Sequence, residues 1–481
     1  MTEISLIKDK LNKKGFFKVS HQLKKQSNLY ICRLNLGKKI TIAVINDGDN
    51  PRTLNVPHLE EYILSKQHEL DKKGESFSEI KLSNITIRKD TLFARLYIKR
   101  RQIRYIDKII IKGYKDFPTS YLKNFLNIKK KTAVSKGKLK HLSEQLKTLE
   151  FVTETKPPQL LFSKDSTFIF FYLKKKSKNY FDGFINASPR NNTIKFNGQL
   201  SLGLSNIFNQ GESFNLNWNS NTDNTSFNIN IKTPFLFNSP ITPELIFNIF
   251  KQDSTFLNSE VKTKLSYQIS AKSIISINYE SNTSSNLLDN EKTNVNSFTN
   301  SFYGLSYRTT IKDRAFAFSE DSFLKTSLLF GSRNSNNTKA NQIKFIVHAQ
   351  HLQKLSNKGS LLLQSQIGYL ESDSYLENEL FRIGGPLSIR GFLPNSIPSS
   401  KYLILKTQYN YLINEKTQIY PLFDLAQYYF NKSNNLLSTG IGYSQLRNNT
   451  LINIEYAIGK GNQESFNFNN SFLSIKVLTY F

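Results

Sequence analysis

The chain has 481 residues, of which 38% are hydrophobic, with a formal net charge of +28 and a mean hydropathy of −0.42. That length exceeds one ordinary compact core, so two or more units are expected. No stretch approaches the roughly 18 apolar residues of a membrane helix, which excludes helical spanning but not strands, whose hydropathy signal is far weaker.

Residues 1–178 hold 39 Lys and Arg against 17 Asp and Glu, whereas residues 179–481 hold 26 against 20. A basic block can mark a nucleic-acid binder. Here the charges are spread over helices and strands with no recognised binding motif, so anionic lipid headgroups or acidic clients are the expected partners, and nucleic acid is not. Cys32 is the only cysteine, which rules out an intrachain disulfide, and it is expected to be a small buried hydrophobe in a strand. The six histidines lie scattered without metal-ligand spacing, so no metal or cofactor is expected. The opening Met-Thr-Glu-Ile-Ser-Leu-Ile-Lys lacks the apolar core of a secretory signal, so an envelope protein would need a leader ahead of it.

In chain order, Thr2 to Lys14 reads as a helix, followed by strands at Phe16–Leu23, Leu29–Leu36 and Lys39–Asn46. Val56–Lys73 reads as a helix, and Ser78–Arg88 with Thr91–Lys99 as a strand pair. Next come a strand at Ile106–Lys112, helices at Ser120–Ile128 and Lys136–Leu149, and strands at Val152–Phe162 and Ser166–Leu173. Leu139, Leu142, Leu146 and Leu149 put leucines on one helical face. A β-α-α-β-β unit is thus expected twice, after the last helix and two strands of a third, and such spacing marks a tandem array.

From Lys178 the grammar changes to strands alone. Sixteen segments are expected, starting near Tyr180, Thr193, Glu212, Thr225, Glu244, Phe256, Ser273, Ser301, Leu324, Ile343, Ser360, Lys401, Thr417, Leu436, Leu451 and Ser471. Asn, Ser, Gly, Asp and Pro punctuate the gaps. In the last segment Leu473, Ile475, Val477, Thr479 and Phe481 fall on one face, and Ser474, Lys476 and Tyr480 on the other, with Leu478 as the exception. Lipid outside and a wet lumen inside would demand that alternation, and so long a run of strands favours closure into a barrel.

One longer loop interrupts this region: Phe381-Arg-Ile-Gly-Gly-Pro-Leu-Ser-Ile-Arg-Gly-Phe392. Glycines there allow a sharp bend, and an arginine held away from bulk water needs an anionic partner. No Ser/His/Asp or Cys/His set, phosphate loop or paired-carboxylate motif appears, so an enzyme is not expected.

The repeated N-terminal unit resembles the POTRA domain. Ile109-Ile110-Ile111-Lys112-Gly113-Tyr114 looks like its first strand and glycine turn; Phe16-Phe17 after Lys14-Gly15, and Phe77 after Gly74, look like its turn from second helix to second strand. The whole chain resembles the BamA/TamA family of outer-membrane assembly factors. The resemblance rests on the loop base Phe381, Gly384 and Gly385, the loop tip Ile389-Arg390-Gly391-Phe392, Leu422-Phe-Asp424, Leu202-Gly-Leu-Ser-Asn-Ile-Phe-Asn-Gln-Gly211 and the terminal aromatic Phe481.

The resemblance implies an α+β POTRA array followed by a sixteen-stranded antiparallel transmembrane β-barrel. Its domains would be a partial unit at 1–37, units at 38–102 and 103–177, and the barrel at 178–481. It implies that Arg390 turns into the lumen to meet Asp424, with Gln408 standing where relatives often carry a Glu. It also implies a weak seam between the first and last barrel strands, marked here by Gly183, Ile475 and Phe481. The implied function is nucleotide-free folding or insertion of β-barrel clients in the bacterial outer membrane, with POTRA units in the periplasm. The implied partners are unfolded outer-membrane proteins, outer-membrane lipids, and periplasmic or lipoprotein accessory subunits. A two-partner-type secretion pore is the alternative, and a passive porin the third reading.

Overall fold

The computed structural model describes the chain apart from residues 1, 27–28, 49–50, 165, 191–192, 221–223, 271, 289–294, 312–317, 319–321, 337, 463, 469–470 and 481. It divides into two compact units: Met1–Ile110 with Lys129–Glu144 and Lys156–Tyr172, and Ile111–Ile128 with Gln145–Thr155 and Leu173–Phe481.

The first elements are helix α1 (Thr2–Lys13) and a hairpin of β1 (Ser20–Gln26) and β2 (Leu29–Asn35). Cys32 on β2 is exposed, against the expected burial. The hairpin forms a sheet of its own, and two strands alone cannot bury both faces.

Next come β3 (Ile42–Asn46), β4 (Pro51–Asn55), a 3-10 turn at Val56–His58, α2 (Leu59–Lys72), β5 (Glu79–Arg88) and β6 (Thr91–Lys99). The sheet order is β4-β3-β6-β5, with β3 and β6 parallel. This corrects the expected β-α-α-β-β order: a single α-helix, α2, lies between β3 and β5, and β4, where no element was expected, pairs with β3. Pro51 opens β4, a position where a strand tolerates proline, and Pro57 lies in the first turn of the 3-10 segment, where its missing N–H costs no internal hydrogen bond. Leu59 and Tyr62 of α2 pack in one core cluster with Ala43, Ile45 and Leu96 of the sheet, and Leu70 near the end of the helix is also buried. Glu60 and Glu61 in the first turn and Lys72 in the last suit the helix dipole.

Then follow β7 (Lys108–Lys112), α3 (Thr119–Phe125), α4 (Lys136–Leu146), β8 (Val152–Phe162) and β9 (Thr167–Lys175), in the expected β-α-α-β-β order. Their sheet runs β7-β9-β8, so first, last and middle strands are ordered as in β3-β6-β5. Asp71 at the end of α2 accepts the Lys136 and Gly137 amides at 3.2 and 3.1 Å, satisfying donors that open α4.

The remaining chain is a closed antiparallel barrel of sixteen strands. The first eight are β10 (Tyr180–Arg190), β11 (Thr193–Ser205), β12 (Ser213–Ser220), β13 (Asn224–Lys232), β14 (Ile241–Gln252), β15 (Phe256–Gln268), β16 (Ser273–Asn286) and β17 (Phe298–Ile311). They are followed by β18 (Ser322–Ser335), β19 (Thr338–Lys354) and β20 (Gly359–Ser372). A small hairpin of β21 (Phe381–Ile383) and β22 (Ile397–Ser399) interrupts the wall. The barrel resumes with β23 (Lys401–Asn414), β24 (Thr417–Phe430), β25 (Lys432–Arg447), β26 (Thr450–Lys460) and β27 (Ser471–Tyr480).

Alternation decides which side chains face inward. On β24, Tyr420, Leu422, Asp424 and Ala426 are buried inside, while Ile419, Phe423 and Leu425 are exposed outside. Among the described residues no helix is long and apolar enough to cross a membrane, which says nothing of strands.

Candidate functional site

The long connection after β20 carries β21 and β22 and turns inward. Gly384 (φ 113°) and Gly385 (φ 88°) form the bend after β21, which pairs with β22. Phe381 packs edge-on against Tyr402, with ring centroids 5.4 Å apart. Ile389 is fully buried, in a cluster with Ile383, Ile404, Ala426 and Leu436.

Arg390 is 4% exposed and Asp424 is fully buried. The guanidinium grips the carboxylate with two groups: Nε donates to Asp424 Oδ2 at 2.8 Å and Nη2 to Oδ1, while the Arg390 amide also donates to Oδ2 at 3.1 Å. Nη1 donates to Gln408 Oε1 at 2.9 Å and Nη2 to the Thr407 carbonyl at 3.3 Å. The structure thus brings together Arg390, Asp424 and Gln408. It adds Glu455 on β26, whose Oε2 lies 3.5 Å from Nη1 and also accepts from the Tyr420 hydroxyl at 3.4 Å. Sequence reasoning missed this second carboxylate, although Asn453, Glu455 and Ala457 share the alternation parity of an inner face. Gln408 supplies no charge, and Glu455 supplies it from a different strand.

Gly391 (φ 76°) lies against β26, and a Cβ there would come within 2.7 Å of the Gly459 amide nitrogen. A Cβ on Gly459 would in turn fall 2.5 Å from the Phe392 ring. Both positions permit a backbone approach that a side chain would block.

A second anchor holds the start of the loop. The side chains of Arg333 on β18 and Glu379, both buried, form an ion pair, and Arg333 also donates to the Ser374 carbonyl at 3.1 Å. Gln342 Nε2 donates to the other Glu379 oxygen at 2.9 Å. Asn378, 1% exposed, donates to Ser284 Oγ at 2.6 Å and the Asn296 carbonyl at 2.8 Å. Sequence reasoning missed this cluster too, because its partners lie up to 94 residues apart and share no motif.

The barrel closes where β10 meets β27, and among the described residues Tyr180 pairs with Tyr480 and Phe181 with Thr479 there, and no others. The other neighbouring wall strands share at least eight residue pairs, as β11 with β12, and nine join β26 to β27. Gly183 pairs with Leu200 on β11 and not with β27. Ile475 points outward and is 56% exposed. Phe481, Asn469 and Asn470 lie outside the described residues.

The Leu202–Gly211 motif forms the turn from β11 to β12, at the end of the barrel where α3 packs. Asn206 (φ 57°), Asn209 (φ 61°) and Gly211 (φ 77°) shape it. Buried Asn206 accepts the Gly211 amide at 2.8 Å and donates to the Tyr114 hydroxyl at 3.0 Å. Tyr114 donates to Asn209 Oδ1, and Tyr121 of α3 packs edge-on against Phe235 with centroids 5.0 Å apart.

No protein-family model and no curated protein sequence matches the chain. Among solved structures, CdiB from Acinetobacter baumannii is similar at 16% identity and a TM-score of 0.58, covering 100% of this chain and 97% of its own. CdiB from Escherichia coli is similar at 12% identity and 0.58, covering 99% and 96%. BamA from Haemophilus ducreyi lacking POTRA domains 1-3 aligns at 12% identity and 0.49, covering 88% and 93%. The likeness to the two CdiB structures is one of fold, over nearly the full length of both.

Proposed function

We propose that the chain is a bacterial outer-membrane protein that folds or inserts β-barrel clients without nucleotide. In this reading residues 38–102 and 103–177 act as POTRA units in the periplasm, and unfolded outer-membrane proteins and lipids are the partners. The observation that carries it is the seam. Among the described residues two pairs join β10 to β27, which leaves most of the β10 edge and the β27 backbone facing it available to a client strand through main-chain hydrogen bonds.

The second reading is a two-partner-type secretion pore, and the whole-length fold likeness to the CdiB chains is the observation on its side. Reconstitution in liposomes separates the two. The assembly reading expects faster folding of an added unfolded barrel protein than in empty liposomes. Stable conductance with no effect on client folding would favour the pore.

A further inference from the structure

Two adjacent turns at the α3 end of the barrel present apolar side chains to the outside. On the turn from β11 to β12, Ile207 is 45% and Phe208 77% exposed; on the turn from β13 to β14, Leu236 is 36% and Phe237 91% exposed. The paired strands β12 and β13 join these turns, so at about 4.8 Å per strand their tips sit about 10 Å apart.

The second turn is strained. Phe235 (φ 55°), Phe237 (φ 52°) and Asn238 (φ 60°) take left-handed conformations between Pro234 and Pro240, and bulky residues rarely do so. Phe235 uses its conformation to meet Tyr121. Phe237, 91% exposed, makes no ring contact among the described residues and points away. A strained backbone that holds a phenyl ring in water gains nothing unless another phase receives the ring.

Two further observations identify that phase. The outward apolar wall continues to this end of the barrel, where Ile241, Tyr267 and Ile269 are all close to half exposed. Beside the first turn runs Lys174-Lys175-Lys176-Ser177-Lys178, in which the first three lysines are exposed. Lys175 Nζ donates to Asn209 Oδ1 at 2.7 Å, so the basic run adjoins the turn itself. Aromatic tips beside exposed ammonium groups, continuous with a lipid-facing wall, match the headgroup level of an anionic leaflet.

We propose that Phe208 and Phe237 are membrane anchors that enter the headgroup region of the leaflet on the α3 side, with Lys174, Lys175 and Lys176 contacting its anionic lipids. The proposal rests on the membrane-barrel reading above. It fixes the seam-proximal hairpins β11–β12 and β13–β14 to the bilayer, next to the strands on which a client would add.

The single tryptophan allows a direct test. Trp218 pairs with Leu200 and Phe227 on the outer face of β12 and serves as the control. The variant Trp218→Phe/Phe237→Trp, and separately Trp218→Phe/Phe208→Trp, places the sole indole at a turn tip. Each full-length protein is reconstituted in phosphatidylethanolamine–phosphatidylglycerol vesicles, and barrel folding is checked by heat-modifiable gel mobility. Quenching is measured with lipids brominated near the headgroup and, separately, near the chain end.

The expected result is blue-shifted emission from the turn indoles, with stronger quenching by the headgroup-proximal bromines. Quenching should fall when phosphatidylglycerol is omitted or when Lys174, Lys175 and Lys176 are changed to Gln. Water-like, unquenched emission from both turn indoles, with Trp218 still quenched, overturns the anchor alone. An emission shift that appears only on adding an unfolded barrel protein also overturns it, in favour of a client site. Failure of Trp218 itself to be quenched overturns the membrane-barrel reading.

Discussion

Replacing Arg390 with Ala removes the guanidinium that satisfies both oxygens of a fully buried Asp424. What remains to Asp424 from this residue is the amide at 3.1 Å, while Glu455 loses its ion-pair partner. Breaking one partner of a buried ion pair costs about 3–5 kcal/mol, mostly because the other charge is left uncompensated. If that cost falls on docking of the loop, the low end of the range raises the undocked fraction about 100-fold, at about 1.4 kcal/mol per tenfold. Hydrogen exchange at the Ile389–Phe392 amides in detergent-solubilised protein reads this directly, because undocking exposes them. We expect exchange faster by about two orders of magnitude in Arg390→Ala, with heat-modifiable mobility retained, since the wall strands keep their ladders. The double variant Arg390→Met/Asp424→Leu should recover most of the protection, because an apolar pair of similar volume replaces an ion pair at little net cost. Unchanged exchange in the single variant, or a double variant as open as the single, would refute the claim that this pair holds the loop.

Glu379→Gln should loosen the start of the loop through loss of the Arg333 pair, lowering the thermal midpoint and raising exchange around Leu376. Gly391→Ala should undock the tip at least as far as Arg390→Ala, because the methyl meets the β26 backbone at 2.7–2.8 Å and a φ of 76° disfavours it, and exchange at Phe392 checks this. Asp71→Asn should weaken the start of α4 by about 1 kcal/mol, seen as faster exchange of its first amides in the full chain. Burial raises the Asp71 carboxyl, but hydrogen bonds from Ser76, Gly137 and Lys136 outweigh it and hold it below the usual value. Its contribution is therefore complete above the ordinary carboxylate range and is lost as pH falls through the lower folded value, so wild type and variant should converge only in acid.

The barrel was legible in the sequence because its signals are local. Period-2 alternation and Asn/Ser/Gly punctuation place most strand starts within a few residues, even for weakly patterned β14 and β16. Parity along Tyr420, Leu422 and Asp424 also indicates which carboxylate faces inward. Partners assembled by closure were not legible: Glu455 lies 65 residues from Arg390, and Arg333 lies 46 from Glu379. In the N-terminal half, β4 was missed because five residues opening with proline carry almost no strand signal until β3 pairs with them. Cys32 was misplaced because strand character alone does not say whether a second layer covers the strand.

The central claim, that the seam opens to admit clients, is tested most directly by locking it. In a Cys32→Ser background, Phe181→Cys with Thr479→Cys places two thiols at paired positions across β10 and β27, within the usual reach of a disulfide. The oxidised, fully crosslinked protein in liposomes should lose its acceleration of client folding, and reduction should restore it. Undiminished acceleration with the seam quantitatively locked would contradict the account.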